Sequence, residues 1–215
     1  MNTVTKEILE GIDPQKALEI LKQGNRRFVQ NLNAHRNLLE QVNDTRDSQW
    51  PFAVVLSCID SRTSAELIFD QGLGDIFSVR IAGNIINDDI LGSMEFACKI
   101  ARSKFIVALG HTKCGAIKGA CDHIELGHLS TLLAKIDPAV KAETTTTTDR
   151  TSNNIAFVEN VSRINVQRSV QEILNKSSIL REMVEEGSIG IVGAMYDVTS
   201  GVVEFYENTE SPVNE

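Results

Sequence analysis

Long apolar runs are missing from this chain of 215 residues. The longest, such as Phe105–Leu109, fall far short of the roughly 20 residues that span a bilayer as a helix. No membrane partner is therefore expected. The N-terminus, MNTVTKEILEGIDPQKALEI, lacks the apolar core of a secretory signal, so a cytoplasmic location is expected. Positive charge is also short. Lysine and arginine number 21 against 29 acidic residues, for a net charge of −8, and the isoelectric point is about 5.1. That balance argues against nucleic acid as a partner. No G-x-x-x-x-G-K-[ST] loop is present, so a nucleoside triphosphate cradle is not expected. Neither an internal repeat nor a linker divides the chain, and a single domain over residues 1–215 follows. Cysteine is sparse, with four in all: Cys58, Cys98, Cys114 and Cys121. In a reducing compartment they are thiols or metal ligands before they are disulfides.

Four short runs rich in Val and Ile are expected to form buried strands: Phe52–Ser57, Asp75–Arg80, Lys104–Gly110 and Ser188–Met195. Helical spacing of apolar residues marks Pro14–Gln30, Asp88–Ala101, Gly115–Ile124, Asn154–Leu174 and Ser178–Glu186. Asp13 and Pro14 suit the start of the first helix, and Gly187 suits the stop after the last. Asn31–Gln49 reads as further helix and loop, and Thr144–Thr148 as a surface loop. Val202–Tyr206 follows a turn too short for a crossover helix, so it should add antiparallel at an edge. The expectation is an α/β fold: about four parallel strands plus an antiparallel edge strand, flanked by helices. An N-terminal helical arm, about 14–49, precedes a core of about 50–206.

Two segments carry chemistry. Cys58-Ile59-Asp60-Ser61-Arg62 follows the first strand, and His111-Thr112-Lys113-Cys114 follows the third. Ligands of open α/β sheets sit beyond the carboxyl ends of strands, where both segments can converge. Two thiolates and an imidazole suit zinc better than magnesium or calcium. Three ligands also leave a tetrahedral position open, as catalytic zinc requires. If the first segment is extended, alternation puts Cys58, Asp60 and Arg62 on one side. Arg62 can then hold Asp60 by paired hydrogen bonds. Cys98 and Cys121 are expected in the core, and His35, His123 and His128 at the surface.

The pair C-x-D-S-R and H-x-x-C, about fifty residues apart, resembles the β-carbonic anhydrases. Val79-Arg80-Ile81-Ala82-Gly83-Asn84 and Tyr196-Asp197-Val198 extend the likeness, which covers most of residues 14–206. The resemblance implies one Zn2+ per chain on Cys58, His111 and Cys114. It also implies reversible hydration of carbon dioxide to bicarbonate by attack of zinc-bound hydroxide, with Asp60 and Arg62 catalytic. It implies a homodimer or homotetramer whose subunits exchange N-terminal helices, so the Pro14–Gln30 helix is expected to find cover on a neighbour. In a plant-like, open-site subgroup, Gln49, Phe77, Phe96 and Gly83 would meet the substrate, with Gln49 reaching across the dimer. Trp50 does not match the Trp–Arg–Tyr bicarbonate site of the other subgroup. Alternatives on the same scaffold are a hydrolase of carbonyl sulfide or carbon disulfide, and a non-catalytic zinc-stabilised binding protein.

Overall fold

A computed structural model describes residues 3–206; the ends of the expected single domain, 1–2 and 207–215, lie outside the described residues. Among the described residues, five strands form one sheet in the order β2-β1-β3-β4-β5: β1 (Ala53–Ser57), β2 (Ile76–Arg80), β3 (Phe105–His111), β4 (Gly190–Tyr196) and β5 (Val203–Phe205). The first four are parallel and β5 pairs antiparallel with β4, as the sequence predicts. β1 and β3 are buried at every position, which is why they read as unbroken apolar runs rather than alternating ones. Successive residues still serve opposite faces. Ala53 and Val55 join the core on one side of the sheet, while Val54 and Leu56 join the core on the other.

Helices α1 (Lys6–Glu10), α2 (Pro14–Val29) and α3 (Leu38–Asp44) precede the sheet. Asp13 caps α2 by accepting from Lys16 N at 2.7 Å. The arm corrects one expectation, because α2 finds its cover within its own subunit. Ala17 and Leu21 are fully buried in one cluster with Val55, Phe105 and Val107. Gly24 lets the helix approach so closely that a Cβ there would lie 1.7 Å from Phe69 O. Asn25 ties α2 to both ends of the sheet's connections: its amide donates to Ile68 O and Gly201 O at 3.1 and 2.9 Å, and its oxygen accepts from Val203 N at 2.9 Å. The exposed apolar residues of the arm are Val29 at the end of α2, Leu32 after it, and Leu38, Leu39 and Val42 on α3.

After β1 come α4 (Ala65–Ile68) and, past β2, α5 (Asp88–Glu95), which widens into a π-helical turn at Phe96–Ile100. After β3 come α6 (Gly115–Cys121), α7 (Gly127–Leu133), α8 (Asp137–Ala142), α9 (Ile155–Lys176) and α10 (Ser178–Glu185). The helices α4, α7 and α8 are too short for periodicity to announce them. Among the described residues, no helix is long and apolar enough to cross a membrane. Cys98 and Cys121 lie in apolar cores, 1% and 2% exposed, as expected.

Candidate metal centre

Parallel register brings the two motifs together. β1 and β3 are neighbours with Ser57 opposite Leu109. Cys58, the next residue after β1, and His111, the last residue of β3, therefore leave the sheet side by side. Cys114 stands at the start of α6, three residues on. The thiol sulfurs and the imidazole offer one ligand atom each, all within 4.8 Å of one another, and all three residues are buried. The sulfurs are 3.9 Å apart. Two zinc–sulfur bonds of about 2.3 Å at a tetrahedral angle would separate them by about 3.8 Å.

The histidine is also prepared as a ligand. Its Nδ1 lies 3.0 Å from Thr112 O; a carbonyl can only accept, so Nδ1 carries the proton and Nε2 has the lone pair. Among the described residues, Nε2 is buried without a hydrogen-bond partner. Leaving such a group unsatisfied costs about 1–3 kcal/mol, which a cation at that point would relieve. The Cys58 thiol is pushed down, first by a hydrogen bond from Cys114 and also by the N–H of Gly83 at 3.4 Å. Cys114 is pushed up because it would ionise beside that thiolate and in a buried place. The apo pair thus favours one thiolate, and a divalent cation removes the obstacle to the second. The donor set and its spacing fit zinc.

Asp60 and Arg62 sit beside this cluster, but not for the reason alternation gives. The segment is a turn, closed by Thr63 N donating to Asp60 O at 3.0 Å, rather than an extended strand. The turn folds Arg62 back. Its Nε and Nη2 donate to Oδ1 and Oδ2 of Asp60 at 2.9 and 2.8 Å, and its backbone N donates to Oδ1 at 3.0 Å. Those bonds hold the Asp60 carboxyl well below the usual carboxylate range.

Of the other expected site residues, Gly83 stays at the cluster through its N–H on Cys58 Sγ, while Phe77, Phe96 and Gln49 lie farther off. Gly83 has φ 68°, and a Cβ there would come within 2.6 Å of Ile136, so the position demands glycine. Phe77 and Phe96 meet edge to face, centroids 6.3 Å apart, along an open groove at the free edge of β2 that ends at Arg80. Gln49 is exposed and lies at the other end of β1 from Cys58. Sequence reasoning assigned no role to Arg80. It clamps the first motif by donating to Cys58 O at 3.0 Å and Asp60 O at 2.6 Å. The signal was there, since an arginine ends the strand that neighbours β1.

The chain is similar to known carbonic anhydrases in sequence and in fold. The family described as carbonic anhydrase matches residues 53–203. Carbonic anhydrase 2 of Mycobacterium tuberculosis is 34% identical over 195 residues, covering 88% of this chain and 91% of that protein. The carbonic anhydrase of Mycolicibacterium smegmatis is 33% identical over 198 residues, covering 89% and 93%. The crystal structure of the β-carbonic anhydrase CafA of Aspergillus fumigatus superposes with a TM-score of 0.73 at 25% identity, covering 92% of each chain.

Proposed function

The chain belongs to the β-carbonic anhydrase family of enzymes, and from that premise we propose that Cys58, His111 and Cys114 hold one zinc ion per chain at which carbon dioxide is reversibly hydrated to bicarbonate. The observation that carries this reading is the buried convergence of the three donor atoms within 4.8 Å. Bound there, zinc would supply the Lewis acidity that makes water acidic enough to attack near neutral pH. The chain's own groups do the rest. Asp60, held ionised by Arg62, can accept a hydrogen bond at a carboxylate oxygen and so orient the attacking oxygen toward the carbon. Arg62 keeps that carboxylate from swinging onto the metal, which supports an open site. Gly83 N–H and Arg80 fix the Cys58 turn.

The same reading extends to assembly. Exposed Leu38, Leu39 and Val42 on α3, together with exposed Phe96 against Phe77 of the edge strand β2, support a homo-oligomer that covers them. In such an assembly Gln49 would serve a neighbour's site beside Phe77 and Phe96, because it lies far from its own. The protein works as one cytoplasmic domain with carbon dioxide and bicarbonate as its small-molecule partners. Stopped-flow carbon dioxide hydration, run with metal analysis of the same sample, tests the proposal. About one zinc per chain with rapid hydration is expected. Hydrolysis of carbonyl sulfide or carbon disulfide without hydration, or full zinc content with no turnover of any of the three, would overturn it.

A further inference from the structure

Between His111 and Cys114 only two residues make the turn from β3 into α6. Lys113 there takes a left-handed conformation, φ 59°, which costs a non-glycine residue on the order of 1 kcal/mol and persists only where neighbours enforce it. Bonds to Lys113 and to the neighbouring Thr112 enforce it, and they come from the end of β4 and the segment that follows it. Lys113 Nζ donates to Thr199 Oγ1 at 3.2 Å. The Thr112 hydroxyl donates to Asp197 Oδ1 at 3.1 Å and accepts from Val198 N at 3.1 Å, while Thr112 N donates to Tyr196 O at 2.9 Å.

Asp197 is the hub of that segment. Its carboxylate also accepts from Thr199 N, Ser200 N and Ser200 Oγ, at 3.0, 3.2 and 2.7 Å. Among its partners in the described residues, Thr112 is the one outside its own turn. Thr112 in turn presents the carbonyl that takes the Nδ1 proton of His111. We propose that Asp197 is a positioning residue for the metal centre: by fixing Thr112 it fixes the carbonyl that holds His111, and so aims Nε2 at the point where Cys58 and Cys114 meet. The chain of contacts runs from carboxylate to hydroxyl to carbonyl to imidazole, and it reaches the site from a part of the sequence that neither motif includes. Outer partners of this kind set the ring orientation and basicity of a ligating histidine. The inference rests on the zinc reading above.

The test uses full-length, zinc-loaded protein and the variants Asp197→Ala, Thr112→Val and Thr112→Ser. Zinc affinity is measured by competition with a chromophoric chelator, and ligand geometry by the visible absorption of the cobalt(II)-exchanged protein. Asp197→Ala and Thr112→Val should each weaken zinc binding about ten- to a hundredfold and alter the cobalt bands. The double variant should be scarcely worse than either single, since both cut one relay. Thr112→Ser keeps the hydroxyl and should restore both readouts. If Asp197→Ala does not fold, the Thr112 pair carries the test alone. Variants that lose thermal stability yet keep wild-type zinc affinity and an unchanged cobalt spectrum would overturn the proposal and leave Asp197 a turn former. Wild-type protein that takes up no zinc would overturn the zinc reading and this inference together, whereas normal uptake by wild type and variants alike would sink this inference only.

Discussion

Asp60 and Asp70 stand ten residues apart, and each is engaged by arginine, yet they are built differently. Asp70 is 2% exposed and is gripped by Arg27 and Arg36, which lie 43 and 34 residues earlier. It also accepts from Ala34 N, and its own carbonyl accepts from Arg36. Asp70 thereby sews the N-terminal arm to the loop after α4. Asp60 has its arginine two residues away, inside its own turn, and the pair keeps 18% and 49% of its side-chain surface exposed. A pairing that local closes no long loop and adds little to the fold. What it leaves is a carboxylate of fixed charge and direction with one side still open. The buried ion cluster joins distant elements of the fold, whereas the local pair at a strand end leaves its carboxylate open beside the candidate metal ligands.

The sharpest way to break that comparison is to remove each arginine grip in turn. Arg62→Ala should leave about one zinc per chain, since no ligand is lost. It should lower carbon dioxide hydration roughly a hundredfold or more, the scale of a misplaced catalytic group, with thermal stability hardly moved. Combined with Asp60→Asn it should do little further harm, because the two act as a unit. Stopped-flow rates, metal content and melting curves together decide it. Near-normal turnover with Asp60 still away from the metal would make the pair merely structural.

Asp70→Asn should give the opposite pattern. The amide keeps the shape and tolerates the left-handed backbone at φ 45°, but it removes the negative charge that the Arg27 and Arg36 guanidinium groups grip. Breaking a buried pair in this way costs about 3–5 kcal/mol. Urea unfolding should record a loss of that order, while the folded, zinc-loaded fraction turns over at the wild-type rate. A large fall in rate per folded zinc site would erase the distinction between the two aspartates.

Acid sharpens the same contrast. Burial raises the Glu143 carboxyl, but hydrogen bonds from Thr145, Thr146 and Arg150 outweigh it and hold the group down to about 2. Asp70 is lowered as well, with Arg27 and Arg36 overcoming the effect of burial. Groups depressed in the folded state bind fewer protons there than when unfolded, so their stabilisation is complete above the ordinary carboxylate range, near pH 4 to 4.5. It drains away as pH falls toward the folded values. Stability should be level from pH 7 to 5 and fall below 4.5, and Glu143→Gln should flatten that fall. Asp60 stays ionised throughout the working range. Asp60→Asn should therefore lower the plateau of the pH–rate profile between pH 6 and 9 without moving its midpoint.

Much of this was legible in the sequence because the physics is local. A strand buried on both faces shows as the apolar runs Ala53–Ser57 and Phe105–Leu109, and the candidate ligands expected at strand ends stand there, Cys58 directly after β1 and His111 as the last residue of β3. What could not be read depends on distant contacts. Nothing near Asp70 announces Arg27 and Arg36, and nothing near Thr112 announces Asp197. Nor does the stripe of α2 say that its cover is the sheet of its own subunit rather than a neighbour's. Thr144–Thr148 reads as an idle loop until Glu143 is seen folded beneath it, 2% exposed. Periodicity reports that a face will be buried but not against what.

The smallest expected effect belongs to a third pair, Arg163 and Glu204, whose closest approach of 2.8 Å equals that of Arg62 and Asp60. If distance decided what an ion pair does, the two would behave alike. Arg163 lies on α9 and Glu204 on β5, so this pair, like that of Asp70, joins distant segments. Yet its side chains are 46% and 58% exposed, and water and salt screen such a pair to less than about 1 kcal/mol. It also stands on the opposite margin of the sheet from β2, across β4 from the site. Glu204→Gln should then change unfolding free energy by less than about 1 kcal/mol, the change should shrink further in high salt, and zinc content and hydration rate should stay as they are. Three carboxylates held by arginine, Asp60, Asp70 and Glu204, would then have three outcomes, set by burial and by what lies beside them. A loss at Glu204→Gln as large as that at Asp70→Asn would show that span, rather than burial, governs the cost.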